Sequence, residues 1–302
     1  MAGPGRLVPR RITEPLARAF AELSAKVDAI QSGVTGLQED VDRIKSVVRY
    51  LADEEPSNRL RLYAARETEE YELAFSEKEP LVTFIIPTYR NFKGLREVSL
   101  PSVLGQSYSN LDVIVIGDGA PPETERVITE LNDPRVRYYN RTVRGPYPDD
   151  PSRRWRLIGN APHNDAVSVA RGRWIAQVSD DDAVRSDHVA RLLDAARHHR
   201  LEHCYGKQLV HFPEGEPLEL GEFPPRESQW GLQAAIYHGA LGFLGLESVD
   251  AYFDEPGDWS FCRRMLGIGV RTGMIDEVVV DKYETRRRSA GEWLAGRVPE
   301  AE

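Results

Sequence analysis

Hydrophobic side chains recur at alternating steps of four and three residues near the N-terminus. The repeat runs unbroken through Leu16, Phe20, Leu23, Val27, Ile30, Val34, Leu37, Val41, Ile44, Val48 and Leu51. Such spacing is typical of the seam of a coiled coil, in which positions a and d of each heptad face a partner helix. We therefore predict that residues 1–52 form a coiled-coil helix.

The seam also bears on how many chains associate. With Leu16 at d, valine fills most a positions and leucine or isoleucine fills every d position, which favours a parallel dimer and leaves a trimer open. Asp40 at position g then faces Lys45 at position e of the partner. Gly33 and Gly36 each weaken the helix by about 1 kcal/mol. A helix packed on its own domain is the alternative, but a seam this long favours self-association.

Beyond this helix the hydrophobic runs become shorter and change in character. Residues 53–80 are predicted as an acidic linker that is partly helical. From residue 81 onward, apolar runs of strand type alternate with helical stretches. We predict strands at "LVTFIIP", "LDVIVIGDG", "RVRYYN" and "RWIAQV", and helices near residues 94–104, 122–131, 163–171 and 185–199. This alternation predicts an α/β fold with a mostly parallel sheet between helices.

The α/β domain is expected to span residues 81–285 in two halves. Residues 81–195 carry the strand–helix alternation, residues 196–285 are less regular, and residues 286–302 form a tail. Open sheets of this kind bind ligands at the carboxyl ends of their strands. The functional residues are therefore expected where the strands end.

Composition narrows the possible classes of function. The 302 residues carry a formal net charge of −9, which argues against a nucleic-acid-binding protein. No apolar run is long enough to cross a membrane, so we expect a cytoplasmic protein. Peripheral association with the inner face of the membrane stays open. Cys204 and Cys262 lie far apart and outside any CxxC motif, and we expect both to be reduced thiols.

Polar residues follow three of the predicted strands at the point where each strand ends. The first strand ends in Pro87-Thr88-Tyr89-Arg90, the second in Gly117-Asp118-Gly119, and a later one in Ser179 to Asp182. In a parallel sheet these groups meet at one edge, where an aromatic face and a carboxylate suit a nucleobase. Asp180, Asp181 and Asp182 repel one another unless a cation lies between them. We therefore predict a divalent metal ion there, with a diphosphate bound to it.

Several of these stretches together resemble glycosyltransferase family 2, the inverting enzymes of the GT-A fold. The resemblance is carried by "VTFIIPTYRN", "LREVSLPSVLGQSYSNLDVIVIGDGA" and "HNDAVSVARGRWIAQVSDDD", and it covers about residues 81–195. It departs from the family pattern at Gly117, His163 and Ser179, and Arg286 stands near the place of a family histidine. The resemblance implies a GT-A nucleotide-diphospho-sugar transferase fold, preceded here by the long coiled-coil helix.

The resemblance also implies roles for individual residues. The donor pocket would include Pro87, Thr88, Tyr89, Asp118, Asn164, Asp180 and Asp181. Tyr89 would lie against the base, and Asp118 would accept from the imide N–H of a uracil, which favours a UDP-sugar. Asp180 would meet the ribose or the donor sugar. Asp181 would bind Mn²⁺ or Mg²⁺, with Asp182 as a further ligand or a support behind it.

The second half offers a candidate for the catalytic base. In the family an acidic residue that opens a helix takes this part, and the resemblance points to Asp258 in "FDEPGDWSFCRRM", with Asp254 and Glu255 in reserve. An N-cap of that helix is the alternative role for Asp258. A basic loop precedes the third helical stretch, and contact with the diphosphate or with solvent stays open for its side chains Arg153, Arg154 and Arg156.

Together these features predict an inverting, metal-dependent glycosyltransferase. It would move a sugar from a nucleotide-sugar, preferably a UDP-sugar, to a hydroxyl group of a glycan, a lipid-linked acceptor or a small molecule. The alternative is a coiled-coil scaffold whose GT-A domain binds a nucleotide without turnover. A sugar-activating nucleotidyltransferase is disfavoured, because residues 87–97 lack the glycine-rich basic loop of such enzymes.

We expect that deletion of residues 1–52 converts the protein from an oligomer to a monomer, because it removes the whole seam. Sedimentation velocity of the full-length and the shortened proteins measures this change. An unaltered number of chains per particle would contradict the coiled-coil assignment.

Overall fold

The computed structural model describes residues 10–253 and 255–284. The chain divides into two compact units, with the boundary between residues 53 and 54. Asp254 and Arg286, which the sequence analysis named, lie outside the described residues, as does the tail at 286–302.

The first unit is one long helix, α1 (Arg10–Asp53). Its 44 residues correspond to a length of about 66 Å at 1.5 Å per residue. The helix runs on through Gly33 and Gly36, and its a and d side chains from Phe20 to Leu51 are between 41% and 69% exposed. Among the described helices, none is long and apolar enough to cross a membrane. The predicted helix is present from Arg10 onward, while residues 1–9 of the prediction lie outside the described residues. Its apolar seam is open to solvent in the single chain.

The second unit, from Glu54 onward, alternates helices and strands. Its helices are α2 (Glu55–Arg66), α3 (Glu69–Ser76), α4 (Phe92–Gly94), α5 (Leu100–Leu104), α6 (Pro122–Leu131), α7 (Pro151–Leu157), α8 (Asn160–Ser168), α9 (His188–His198) and α10 (Gly257–Ile268). Its strands are β1 (Val82–Thr88), β2 (Leu111–Gly117), β3 (Val136–Asn140), β4 (Trp174–Gln177), β5 (Ala183–Val184), β6 (His203–His211), β7 (Leu218–Leu220), β8 (Ala235–His238) and β9 (Thr272–Tyr283). A π-helical turn, Leu95–Ser99, joins α4 to α5, and 3₁₀ turns cover Leu232–Ala234, Gly239–Leu241 and Ser248–Phe253.

Across the described residues the strands join in one sheet of order β3-β2-β1-β4-β8-β6-β9-β5, and β7 pairs with β6. The strands β3, β2, β1 and β4 are parallel neighbours. β8 runs antiparallel to both β4 and β6, and β9 runs parallel to β6. The predicted α/β fold with its largely parallel sheet is confirmed, and the less regular second half supplies the antiparallel strands.

Alternate side chains of the central strands pack on opposite faces of this sheet. In β1, Phe84 and Ile86 belong to one buried hydrophobic cluster and Ile85 belongs to the other. The first cluster draws on α3, α5, α6 and α9, and the second draws on α2, α8 and α10. Because both faces of β1 are covered, its run is apolar apart from Thr83, whose buried hydroxyl donates to Asp112, and this is why the strand could be recognised.

Residues 53–80 contain helices, as the sequence pattern predicts, but from Glu54 onward they belong to the second unit and are not a separate linker. They fold into α2 and α3, which belong to the second unit and bury the side chains of Leu62, Tyr71, Ala74 and Phe75 in its two clusters. The acidic residues of the segment, such as Glu70 and Glu72, lie on its exposed side. Composition was misleading here because the charges cover the outer faces of two helices that pack inward.

A buried carboxylate ties α2 and α3 to the sheet. Glu202 is fully buried and accepts hydrogen bonds from Arg66 (2.6 and 2.7 Å), the Tyr71 hydroxyl (2.7 Å) and the Arg271 amide (2.8 Å). Burial alone would raise the pKa of Glu202, but these hydrogen bonds outweigh it and hold the pKa below its usual value. A carboxyl with a lowered pKa stabilises the fold above the pKa of the unfolded chain, and the effect is lost as the pH falls through the folded pKa.

We expect Glu202→Gln to lower the free energy of unfolding at neutral pH by about 3 kcal/mol, because it breaks a buried ion pair and leaves Arg66 without its partner. Urea denaturation measures the change. The control, Glu72→Gln, removes a surface carboxylate paired with Arg200 and should cost less than about 1 kcal/mol. The difference between Glu202→Gln and wild type should shrink toward acidic pH. Equal stabilities of the two variants at neutral pH would refute the assignment.

Candidate active site

The strands β1, β2 and β4 are adjacent and parallel, so their carboxyl ends meet at one edge of the sheet. A pocket of about 600 Å³ opens there. The predicted residues that line it are Pro87, Thr88, Tyr89, Asp118, Asp180, Asp181, Asp182 and Asp258. Side chains from both predicted halves of the domain thus share one cavity.

The first carboxylate after β4 is held by residues that follow β1. Asp180 accepts from the Thr88 hydroxyl at 2.6 Å and from the Asn91 amide at 3.3 Å. Burial raises the pKa of Asp180 to about 6, and the hydrogen bond from Thr88 opposes the rise. Both oxygens of this carboxylate therefore have partners within the protein, and Thr88 acts as the donor that fixes it.

The next two carboxylates face different surroundings. Asp182 is 2% exposed, and its Oδ1 accepts from the Tyr283 amide of β9 at 2.7 Å. Asp181 is partly exposed in the pocket, and its carboxylate accepts from its own backbone amide. Burial raises the pKa of both carboxyls, and the positive charge of Lys282 opposes the rise. The Asp182 carboxylate is thus bound to strand β9, whereas the Asp181 carboxylate is accessible to a ligand in the pocket.

Asp118, at the end of β2, organises the long loop that follows β3. Its carboxylate is 5% exposed and accepts from the Gly145 amide at 2.9 Å and the Tyr147 hydroxyl at 2.6 Å. Arg141 adds an ion pair at 3.3 Å. Burial and the neighbouring carboxylate raise the pKa of Tyr147, so its hydroxyl remains a donor at neutral pH. The structure therefore gives Asp118 internal partners in the position where the resemblance implies a contact with uracil.

Tyr89 presents an aromatic ring that arginine side chains already touch. The guanidinium of Arg144 lies 4.0 Å from the centroid of the Tyr89 ring, and that of Arg90 lies 4.9 Å from it. Arg144 also lies 5.2 Å from the Tyr147 ring. A base that stacks in this part of the pocket would meet Arg144 as well as Tyr89.

Asp258 enters the pocket from the second half of the domain. It lies in the first turn of α10, which begins at Gly257 and has Pro256 at its N-cap position. The N-cap position itself is thus held by Pro256, but the Asp258 carboxylate accepts from the Trp259 amide at 2.8 Å within the first turn of the helix. Burial raises the pKa of Asp258, and Lys282 opposes the rise.

The reserve residue Glu255 is paired with Arg263 at 3.2 Å and does not line the pocket. Asp254, the other reserve, lies outside the described residues. Of the acidic residues proposed as a base, Asp258 is thus the one that the described structure brings to the cavity.

Asn164, which was predicted to contact the nucleotide-sugar donor, does not line the pocket. Asn164 donates to the Leu246 carbonyl at 3.0 Å and accepts from the Leu246 amide at 2.8 Å, so both ends of its amide are used in packing. Its place in the wall of the pocket is taken by Gly159, Asn160 and Pro162 of the same helix region. Asn164 therefore fixes α8 to a distant loop and is corrected from a binding to a structural residue.

Of the three arginines whose contact was left open, one lines the pocket. Arg156 is among the lining residues, whereas Arg154 donates to the carbonyls of Pro148 and Asp149. Arg153 donates its backbone amide to the Asp150 carboxylate, which caps α7. Part of the segment that was left open as a solvated loop is therefore helical.

Sequence reasoning missed several lining residues. These are Arg144, Trp155, Gln177, Trp259, Lys282 and Tyr283. For Lys282 a signal was present, because alternation along β9 puts it on the opposite face from Asp281, whose carboxylate pairs with Arg185 and His211. The resemblance to the family pointed in this part of the chain only to Arg286, near the place of a family histidine.

A family model described as "Glycosyl transferase family 2" matches residues 83–147. These residues contain β1, β2, β3 and the pocket residues Thr88, Tyr89 and Asp118. Residues 83–147 therefore match glycosyl transferase family 2. The resemblance seen in the sequence is confirmed.

Curated relatives of the family 2 domain carry related names. Chondroitin synthase of Escherichia coli is 33% identical over 137 residues, which are 45% of this chain and 18% of that protein. Succinoglycan biosynthesis protein ExoO of Rhizobium meliloti (strain 1021) is 32% identical over 122 residues, which are 40% of this chain and 31% of that protein. The chain thus spans less than a third of the length of these relatives.

Solved structures resemble the fold of the family 2 domain. TarS residues 1–349 of S. aureus, in complex with UDP-GlcNAc, aligns with a TM-score of 0.54 at 16% identity. The alignment covers 68% of this chain and 59% of that one. At this identity the likeness shows the fold alone, and the fold expected from the sequence is confirmed.

We expect Tyr147→Phe to lower the free energy of unfolding by about 2 kcal/mol, because it removes a hydrogen bond to the charged Asp118. The control is Tyr138→Phe, since among the described residues the buried Tyr138 hydroxyl has no hydrogen-bond partner. That variant should be neutral or slightly stabilising. Urea denaturation measures both, and equal losses would mean that Tyr147 contributes only its ring.

Proposed function

We propose that this protein is an inverting, metal-dependent glycosyltransferase that uses a nucleotide-sugar, preferably a UDP-sugar. One observation carries the proposal: in a chain with a family 2 domain, Tyr89, Asp118, Asp181 and Asp258 line the same pocket. An aromatic face, a solvent-accessible carboxylate and a second carboxylate with a raised pKa are the groups that donor binding, metal binding and base catalysis require.

Asp181 is the residue we assign to the metal ion. Among the described residues no group of three or more His, Cys, Asp or Glu side chains is arranged to hold a metal. Asp180, Asp181 and Asp182 all line the cavity, but Asp180 is engaged with Thr88 and Asp182 with the Tyr283 amide, so we assign the cation to Asp181. A single carboxylate fits Mg²⁺ or Mn²⁺ when the remaining ligands are phosphate oxygens and water. When bound, such a cation offsets the charge that develops on the departing nucleoside diphosphate.

Asp258 is the residue we assign as the base. Its carboxylate accepts a proton from the acceptor hydroxyl as the oxygen of that hydroxyl attacks the anomeric carbon. The attack comes from the face opposite the diphosphate, and the bond between this carbon and the diphosphate oxygen breaks with its electron pair on the diphosphate. The single displacement inverts the anomeric carbon and forms no covalent enzyme intermediate. The raised pKa of Asp258 makes it a better proton acceptor than an ordinary exposed carboxylate.

The names of relatives support a glycan as the acceptor. Chondroitin synthase and a succinoglycan biosynthesis protein are named for polysaccharides, and the TarS structure contains UDP-GlcNAc. We therefore place the acceptor among the hydroxyls of an envelope polysaccharide or its lipid-linked precursor. Work on such an acceptor would bring the protein to the inner face of the membrane.

The long helix α1 supports self-association as part of the same proposal. A parallel dimer would cover the a and d side chains and hold two catalytic domains near one polymeric acceptor. Val34→Glu with Leu37→Glu places charge on the seam and should give a monomer in sedimentation. Ser32→Glu with Ser46→Glu adds the same charge at the outward f positions and should leave the dimer intact.

We expect calorimetric titration with UDP, GDP and dTDP to show tight binding of UDP that depends on Mn²⁺. Asp181→Asn should remove the dependence on Mn²⁺, because it removes the charged ligand. Asp258→Asn, the same change in the same pocket, should bind UDP like wild type. Unchanged Mn²⁺-dependent affinity in Asp181→Asn would sink the metal assignment, and no binding of any nucleotide would favour the coiled-coil scaffold instead.

A further inference from the structure

Lys282 lies in the wall of the pocket, at the end of β9. The strand places it between two residues with structural partners. Asp281 pairs with Arg185 at 2.7 Å and with His211 at 2.8 Å, and the Tyr283 amide donates to Asp182. Successive side chains of a strand point to opposite faces, so the contacts of Asp281 turn Lys282 toward the cavity.

The surroundings of Lys282 are strongly acidic. Its charge acts on Asp181, Asp182 and Asp258, and in each case it opposes the rise in pKa that burial causes. On these three described carboxylates the effect of Lys282 is one of charge, without a hydrogen bond to any of them. Lys282 and these three carboxylates line the same pocket, and its charge is shared among them.

A nucleoside diphosphate needs positive charge on the side of the pocket where its phosphates lie. Among the described residues, the cationic side chains that line the cavity are Arg144, Arg156 and Lys282. Arg144 is stacked on Tyr89, and Arg156 belongs to α7. Lys282 is thus the lining cation that stands among Asp181, Asp182 and Asp258, where the proposed metal ion and base also lie.

We infer that Lys282 binds the β-phosphate of the nucleoside diphosphate, as a built-in cation beside the metal position of Asp181. The inference rests on the proposed function. A lysine ammonium is a compact point charge that binds phosphate without a fixed geometry. It would bind the diphosphate of the donor before transfer and of the product after it, and it would keep part of that affinity when no divalent cation is bound.

The probes are UDP and UMP, which differ by the β-phosphate. Titration of the full-length protein with each, in EDTA and with Mn²⁺, compares wild type with Lys282→Met. We expect Lys282→Met to bind UDP about tenfold more weakly in EDTA, the loss typical of one hydrogen bond to a charged group, and to bind UMP unchanged. Lys282→Arg, which keeps the charge, should retain most of the UDP affinity.

Lys207→Met serves as the matched control, because Lys207 pairs with Glu219 and Asp276 and does not line the pocket. It should bind both nucleotides like wild type. Lys282→Gln repeats the test if Lys282→Met fails to fold.

Three results would overturn the inference, and they are distinguishable. Equal UDP affinities of Lys282→Met and wild type in EDTA would mean that Lys282 does not touch the diphosphate. Equal losses of UDP and UMP affinity would give Lys282 a purely structural role. If wild type binds neither UDP nor UMP under any condition, the proposed function fails first and the inference fails with it.

Discussion

Three neighbouring carboxylates can stand at the end of β4 only because the fold turns each toward a different partner. Asp180 is held by Thr88 after β1, and Asp182 by the Tyr283 amide of β9. Asp181 is left in the pocket between them. The hydrogen bonds that keep these like charges apart thus also fix the rim of the cavity. They link the parallel first half of the sheet to β9, the strand that carries Lys282.

Buried carboxylates also join separate segments of this domain through hydrogen bonds elsewhere. Asp118 fixes the turn at Gly145 and Tyr147, and Glu202 fixes the two helices that precede the sheet. A carboxylate at a strand end therefore has two possible uses, the binding of a ligand and the satisfaction of backbone amides in a loop. In this structure Asp118 binds an amide and a hydroxyl of the loop that follows β3. A nucleobase that enters the pocket therefore meets a carboxylate whose position is already fixed.

The parts of the fold that could be predicted from the sequence depend on local periodicity. The seam of α1 and the apolar runs of β1 and β2 show in consecutive residues, because each element buries a face along its whole length. Asn164 was misassigned because its partner, Leu246, lies 82 residues away and nothing local distinguishes an amide that binds a ligand from one that binds backbone. The packing of the helices at 53–80 on the domain was missed for a similar reason, since the carboxylate that fixes Arg66 is 136 residues distant.

The departures from the family pattern have local physical reasons. A Cβ atom at Gly117 would lie 2.5 Å from Oδ1 of Asn140, whose amide is paired with the backbone of Ala120, so the fold has no room there for an aspartate. His163 is buried between Gln177 and Tyr237, and burial lowers its pKa to about 4, so it packs as a neutral side chain.

Ser179, the third departure, exchanges hydrogen bonds with Gln233 through its amide at 3.2 Å and its hydroxyl at 3.0 Å. At Gly117 and His163 the substituted residue serves the packing behind the pocket, whereas Asp181 and Asp258 keep their carboxylates in it. Both carboxylates are partly buried and burial raises the pKa of each, so without a ligand their charged forms reduce stability. Their retention beside Lys282 therefore favours a working site over a scaffold that has lost its activity.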